Sequence, residues 1–561
     1  MVTNFFPPHT IGGAEIVAYR QARALLVRGH KVTVLSGAEP SQSKPEGFLD
    51  FDRYDDLPVY RLSLRSSDTD HNFYWPAAAR RLRSIIAADR IEVVHVHNPL
   101  GLGANIIPAA TEAGVRCFVT LHDHWGFCLQ ATRLRTDGSL CTNFEECSQC
   151  RDAIRPAGGV MVPTRLRRDY IAWCLTQADK LITPSDYMAG TYRLAGFPTD
   201  SITVISNGID LDAVAAAARE PSRKGVVRFL CAAYLGEHKG IPVLLEALKL
   251  LAKDPALASR WHTTIVGDGH LRKMLEKTLR RSKLTANVSV TGRLPRRELL
   301  ALLPRMDVAV LPSIWPENEP VSMLEAIASG TAQIATRLGG TQELVDDEQS
   351  GFLVAPGDPS GLARAMTRYI QEPSLAARHG AYNLARRERF DERRSIDELE
   401  TAFSNTPLPV SNRQAEGPIV ICGSAWAPRE AKLLVDNAYK HLGDGARARF
   451  IWHGWADVSV WRNAKLLWLW DRHPGEQLTN MAFRHGVPVL APRSDWTEGL
   501  ARHYGAVILY DKYIEALAAM SALFTVPTLL NKFASLSRAA SGTATALAPS
   551  SALHLSSEHS E

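Results

Sequence analysis

The 561-residue chain contains no run of eighteen or more uncharged apolar residues, so no segment of it reads as a membrane-spanning helix. It also lacks a dominant charge. Lys+Arg total 64 against 59 Asp+Glu, and the resulting +5 is too weak for a nucleic-acid footprint. The opening MVTNFFPPHT has neither the basic nor the apolar region of a secretory signal, and the expectation is a soluble cytoplasmic protein, peripheral to a membrane at most. Cysteine is scarce, at eight residues, yet Cys128, Cys141, Cys147 and Cys150 crowd one loop-rich stretch. The first strand-like run, Met1-Val2-Thr3, is shorter than the usual five or six residues. The expectation is that a few apolar residues precede Met1 in the natural reading frame, which a stop codon directly upstream would exclude.

What is present fits an ordinary globular chain: 45% of residues are apolar, and the length suits about three to four domains. Short apolar runs alternate with helical patterns. KVTVLS, IEVVHVH, VRCFVTLHD and KLITPS precede a second series, VVRFLCAAYL, WHTTIVGDG, NVSVTG, VAVLPS, AQIATR and GFLVAP. Near-continuous apolar strands alternating with helices predict parallel sheets covered on both faces. The organisation predicted is a Rossmann-like domain over 1–205, a second over 206–404 closed by the charged helix 386–403, and a linker over 405–417. A smaller α/β domain over 418–535 and a disordered tail over 536–561 follow. Ligands of such sheets bind beyond the carboxyl ends of the strands, here in the cleft between the first two domains.

The segment PENEPVSMLEAIASG, 316–330, carries the most chemistry. Pro316 and Pro320 disfavour helix before them, so Glu317 lies in a loop. A helix from Val321 to Ser329 stops at Gly330 and carries Glu325 two turns in. The unpaired amides and positive dipole end of its first turn favour an anion. Amides for a diphosphate and carboxylates for hydroxyl groups suit a sugar nucleotide; two solvated glutamates on a capped helix are the bland alternative. In the third block, NMAFRHGVPVLAPRSDWTEGL echoes LEAIASGTAQIATRLGGTQEL with Gly486 on Gly330. His473 then falls opposite Glu317 and Met481 opposite Glu325, so the pattern persists without the carboxylates. A degenerate copy serving partner or acceptor contacts and convergent α/β patterning both fit.

Read in order, FFPPHTIGGAE, GHKVTVLS, VVHVHNPLGLG, VTLHDHW, ITPSDYMAG, VISNGID, HKGIPVLLEAL, IVGDGHLRKMLE, VTGRLPRRELL and PSIWPENEPVSMLEAIASG resemble the retaining glycosyltransferases of family 4, over about residues 1–404. The resemblance implies a GT-B fold, a nucleotide-sugar donor, a saccharide or lipid-linked acceptor, and no catalytic metal or cofactor. It implies catalytic roles for His122, Lys239 and Glu317. Donor contacts would come from Gly12, Gly13, Lys239, Gly267, Asn318, Val321, Ser322 and Glu325, with Gly269 beside Gly267. Lysine suits a delocalised diphosphate as a point charge. The chain departs from the family in having Tyr234 where arginine is common, five positions before Lys239, which places more of the phosphate charge on Lys239 and the helix start after Pro320; a weaker donor affinity, an altered nucleoside preference and compensation by Arg293 all fit. Asp123 either orients His122 or caps the next turn.

Three features stay open at this level. The four clustered cysteines suit structural zinc, reduced thiols or, less readily in a reducing cytosol, disulfides. His95 and His97 alternate on one strand and so share a face, as packing residues or a metal pair. The segment 155–175 mixes arginines with Tyr170, Trp173 and Leu175, which fits a surface helix with a buried aromatic side or a helix lying on an anionic membrane. The functional expectation is sugar transfer in envelope polysaccharide or glycan biosynthesis. A GT-B nucleotide-sugar epimerase and a non-catalytic glycan-binding scaffold are its rivals.

Overall fold

The structure is a computed structural model. It describes the chain except residues 11, 40, 42, 65–72, 145–149, 152, 155–161, 198–200, 216–224, 408–418, 424–433, 437, 441, 443–448, 472–475 and 545–561. The chain forms two compact units, Met1–Phe144 with Ala178–Ser411, and Glu145–Gln177 with Asn412–Glu561.

The first unit holds two sheets. One contains β1 (Val2–Thr3), β2 (Val34–Ala38), β3 (Leu49–Tyr54), β4 (Leu57–Ser63), β5 (Val93–Asn98) and β6 (Arg116–Thr120). After the two-residue strands β7 (Ala153–Ile154) and β8 (Val162–Pro163), which pair with each other in the second unit, β9 (Lys180–Thr183) and β10 (Ile202–Val204) complete it. Its order is β10-β9-β6-β5-β1-β2-β4-β3, parallel except for the β3–β4 hairpin. The short β1 is thus an interior strand; the antiparallel hairpin is an addition that the apolar runs did not signal. The other sheet, β11 (Val227–Ala232), β12 (Trp261–Val266), β13 (Val288–Gly292), β14 (Val308–Leu311), β15 (Ala332–Thr336) and β16 (Gly351–Val354), runs β13-β12-β11-β14-β15-β16, all parallel. These are the two doubly wound lobes predicted.

One boundary shifts. The helix Glu392–Asn405, read as closing the second lobe, packs into the first. Ile396, Leu399 and Phe403 make one apolar stripe. Ile396 and Leu399 are buried with Phe6, Ala22, Val34 and Phe118, and Phe403 meets the rings of Phe118 and His95. Arg28 reinforces the seat through Asp397 and Glu400, at 2.6 and 2.5 Å.

The second unit carries β17 (Ile419–Gly423), β18 (Arg449–Trp452), β19 (Ala464–Leu469), β20 (Val489–Pro492) and β21 (Val507–Tyr510), all parallel in the order β18-β17-β19-β20-β21. Two sequence boundaries are corrected here. Residues 145–177, assigned to the first domain, belong to this unit. The helix Thr164–Thr176 lies along β18, where Asp169 accepts from the Phe450 amide at 3.1 Å and Arg449 donates to Thr176 at 3.2 Å. Leu166, Tyr170 and Trp173 are fully buried, so the aromatic side of this helix is a packing face that covers an edge strand. Nor does the tail begin at 536: the helix Pro527–Ala544 continues through it, and Ser537 donates to the Val487 carbonyl at 2.7 Å.

Removing β13 from the second lobe leaves β12-β11-β14-β15-β16, which corresponds strand for strand to β18-β17-β19-β20-β21. Gly330 and Gly486 end the equivalent helices Val321–Ala328 and Glu476–Arg484 in the same left-handed conformation, φ 67 and 69°. The echo seen in the sequence is therefore one of topology, which favours the degenerate copy over chance patterning.

Candidate active site

The loop after β11 turns at Gly240, φ 70°, where a Cβ would lie 1.8 Å from the Pro312 carbonyl oxygen; only glycine lets this turn press against the end of β14. The packing delivers Lys239 to the PENEP loop. Its ammonium reaches both oxygens of Glu317, at 2.7 and 3.0 Å, and lies 4.7 Å from the centre of the Trp315 ring. Glu317 also accepts from Ser313 Oγ at 2.5 Å and Trp315 Nε1 at 2.8 Å. A buried carboxylate so surrounded is a weak nucleophile. Its geometric role is to hold Lys239.

Gly339 and Gly340 back this loop. A Cβ at Gly340 would meet the Asn318 carbonyl oxygen at 1.7 Å, and its amide donates to the Glu317 carbonyl at 2.7 Å. Sequence reasoning passed over this pair, although a double glycine directly after β15 was its visible signal.

Next to the loop, the helix Val321–Ala328 starts at Pro320 without a side-chain cap, leaving the first-turn amides at Val321 and Ser322 to other partners. Glu325 sits behind them, buried, with Arg296 Nη1 at 2.7 Å. Burial pushes its pKa up while Arg296 and Arg20 oppose that rise. Ser322 and Glu325 line one small cavity with Met323 and Leu230.

From the first lobe comes His122, just beyond β6. Its Nε2 lies 2.9 Å from His97 Nδ1, and His95 Nε2 lies 2.7 Å from Thr120 Oγ1. Burial lowers His122 to about 4 and His95 to about 3, so these imidazoles are neutral near pH 7. The orienting partner of His122 is thus His97. Asp123 instead caps the next turn, accepting from the Trp125 amide at 2.8 Å, with burial raising its pKa to about 7.

Asn318 departs from its expected donor role. Its Nδ2 donates to the carbonyls of Leu121 and His122, at 3.1 and 3.2 Å, and its Oδ1 accepts from Ser185 Oγ. The carboxamide is occupied by the other lobe. Gly12 and Gly13 are exposed, and Gly12 is extended rather than left-handed. A Cβ at either would make only ordinary contacts, 3.8 Å to Glu15 and 3.5 Å to Val321. Among the described residues nothing demands glycine at either position. The Gly12 amide is taken by Glu15 at 2.8 Å.

Gly267, by contrast, has a packing reason: a Cβ would lie 1.9 Å from the Ala233 carbonyl oxygen, and one at Gly269 would lie 2.5 Å from that of Leu235. Tyr234 is exposed, faces the His238 ring and lies 3.2 Å from His270 Nδ1. Arg293 bonds Thr10, at 2.6 and 3.0 Å, rather than joining Lys239. Among the described residues no group of three or more His, Cys, Asp or Glu is gathered for a metal. Cys141 and Cys150 carry free thiols, and Cys147 lies outside the described residues, as does His473.

Lys239 thus meets Glu317 beside the helix start, Gly13 of the first lobe lies against Val321, and the His122 carbonyl is held by Asn318. Residues 11–213 match the model described as Glycosyltransferase Family 4, and residues 216–386 the one described as Glycosyl transferases group 1. A glycogen synthase of Mycobacterium tuberculosis (strain ATCC 25618 / H37Rv) is 36% identical over 403 residues, spanning 67% of this chain and 87% of that protein. The chain belongs to the family 4 glycosyltransferases. This glycosyltransferase, of the hexosyl-transferring type, is also 24% identical over 388 residues to a phosphatidyl-myo-inositol mannosyltransferase of the same strain, across 68% of the chain and 89% of that protein. Its fold matches the Anabaena protein Alr3699/HepE, solved in complex with UDP and glucose: TM-score 0.51, 18% identity, 72% of this chain and 99% of that one. That likeness shows the GT-B architecture.

Proposed function

We propose that the chain transfers a hexose from a nucleotide-sugar donor to a hydroxyl of a saccharide or lipid-linked acceptor, with retention of anomeric configuration, in polysaccharide or glycan biosynthesis. The observation that carries this reading is the Lys239–Glu317 pair beside the uncapped start of helix Val321–Ala328. Departure of the sugar leaves an oxocarbenium-like ring and a diphosphate gaining negative charge. One ammonium and two first-turn amides face that developing charge, and fixed donors of this kind are typically worth about 3–4 kcal/mol each. Glu317 keeps Lys239 oriented before the donor arrives. Because Glu317 is already engaged by Lys239, Ser313 and Trp315, a same-face attack assisted by the leaving diphosphate suits the site better than double displacement. Glu325, behind the amides, suits the hydroxyls of the nucleoside as an acceptor. The neutral His122 is placed to exchange hydrogen bonds with the sugar.

A thermal-stability screen of nucleotide sugars tests the donor. A bound donor at a hundred times its dissociation constant adds about 2.7 kcal/mol. The anomeric configuration of the product, read by NMR, tests retention; an inverted product overturns that part of the reading. A screen in which no nucleotide sugar stabilises the protein overturns the donor class.

A further inference from the structure

The residues of the candidate site come from two lobes, and the Asn318 side chain of the second lobe bonds the first. Pro316 and Pro320 fix the backbone at each end of the PENEP loop. Along the bent segment between them, successive side chains leave in different directions. Glu317 turns to Lys239 and Trp315 of its own lobe. Asn318 turns to the Leu121 and His122 carbonyls and to Ser185 of the first lobe. Glu319 turns to the connecting segment, accepting from Ser206 Oγ at 2.7 Å and the Asn207 amide at 2.6 Å. A further carboxylate works beside them: Glu343 accepts from the amides of Asp186 and Tyr187, at 3.1 and 2.5 Å, in the first turn of the helix that Ser185 caps.

We propose that Asn318 is a positioning residue: its carboxamide locks the backbone of His122 to the loop that carries Glu317, and so sets the spacing of the two lobes at which transfer occurs. Every polar atom of the side chain is engaged across the lobes, and it is buried, 6% exposed. Its immediate neighbour holds the lysine that faces the donor phosphates. A shift in the lobe spacing is thereby felt at Lys239 and His122 together. Lys239, the first-turn amides and Glu325, which hold most of the expected donor contacts, sit on the second lobe, so losing the latch should impair the chemical step far more than donor binding. The kinetic part of this inference rests on the proposed nucleotide-sugar transfer.

The test compares Asn318→Ala, Asn318→Asp and Ser185→Ala in the full-length protein. Three quantities are read: kcat, the dissociation constant of UDP-glucose or of whichever nucleotide sugar the stability screen selects, and the radius of gyration by small-angle X-ray scattering. Both Asn318 variants should lower kcat about tenfold or more while the donor dissociation constant stays within about twofold. Their radius of gyration should increase. Ser185→Ala keeps both Nδ2 bonds, so it should show the same split at smaller size. A kcat within about twofold of wild type in the Asn318 variants overturns the proposal, as does donor affinity falling in step with kcat. If neither Asn318 variant folds, Ser185→Ala decides, and an unchanged kcat overturns the latch. If no nucleotide sugar stabilises the wild type, the proposed function fails separately. Scattering then still judges the latch, and an unchanged radius in Asn318→Asp overturns it.

Discussion

The second lobe and the third sheet share five strands in one order, yet they carry different residues where the chemistry would lie. At the end of β14 the second lobe presents Glu317, tied to Lys239, and its helix carries Glu325, tied to Arg296. The helix Glu476–Arg484 of the third sheet carries Met481 in the register of Glu325, 37% exposed and uncharged. The fold needs apolar strands, a left-handed glycine after the helix and a buried helix face, and both regions keep these. Binding needs charges whose desolvation is offset by partners, and only the second lobe shows them among the described residues. Fold and site thus rest on separable sets of residues.

The comparison breaks most visibly if the third sheet can be removed at no cost. Its edge strand β18 is covered by the helix Thr164–Thr176, which departs from the chain ahead of β9. A protein ended at residue 411 keeps that helix but loses β18. Leu166, Tyr170 and Trp173 then lose their cover, at about 1.5–3 kcal/mol for each large apolar side chain. The expected outcome is loss of soluble protein, read by sedimentation after expression. A soluble truncated chain with unchanged melting temperature would show that the two segments do not form one unit.

The next largest effect concerns the site. Lys239→Ala should lower transfer about a hundred- to a thousandfold, with the fold intact by circular dichroism. Met481→Ala, at the equivalent rim of the third sheet, should leave turnover within about twofold. Near-normal turnover in Lys239→Ala removes Lys239 from its role; a large loss in Met481→Ala would give the copy a function in the reaction.

These two outcomes bear on what the sequence makes legible. A strand run such as VAVLPS is almost wholly apolar because both faces of a parallel sheet are buried, so architecture could be read directly. Lys239 and Glu317 were recognisable from motif and resemblance, and they do meet. Directions of side chains were not readable. Asn318 sits between two glutamates on a bent loop, and no local pattern says that it turns to the opposite lobe. Helices were hard to assign to a domain for the same reason. Ile396, Leu399 and Phe403 announce an apolar face, as do Leu166, Tyr170 and Trp173, but the surface that buries each comes from a distant part of the chain. The position of Gly340 against the Asn318 carbonyl is likewise a tertiary constraint, invisible in a string that reads as a turn.

A smaller effect distinguishes the third sheet by pH. Burial raises Asp169, whose carboxylate accepts from the Phe450 amide, from 3.8 to about 6. The folded state therefore binds a proton that the unfolded state has released between those values, so stability falls as pH rises through that window. An asparagine in its place would keep a carbonyl acceptor without the charge. Asp169→Asn should raise stability at pH 7 on the order of 2–3 kcal/mol, with the gain vanishing below about pH 4. Urea unfolding at pH 7 and pH 4 reads the difference, and a gain independent of pH would exclude desolvation as its cause.

The finest comparison lies in the two helix-ending glycines. Gly330 and Gly486 adopt nearly the same left-handed backbone, φ 67 and 69°, and an L side chain there costs about 1–2 kcal/mol. At Gly486 the nearest atoms to an added Cβ belong to Arg538, Cγ at 2.5 Å and Cδ at 3.2 Å, so the root of that side chain has to shift. Gly486→Ala should therefore cost more than the backbone penalty alone, and Gly330→Ala at least that penalty, each measured by denaturant unfolding. The functional readouts should part. Gly330 ends the helix that carries Glu325 and the first-turn amides, so even a small displacement there should weaken donor binding, whereas Gly486→Ala should leave the donor dissociation constant unchanged. Equal effects on donor binding from both substitutions would mean that the third sheet takes part in the donor site, and the separation between a working rim and its copy would not hold.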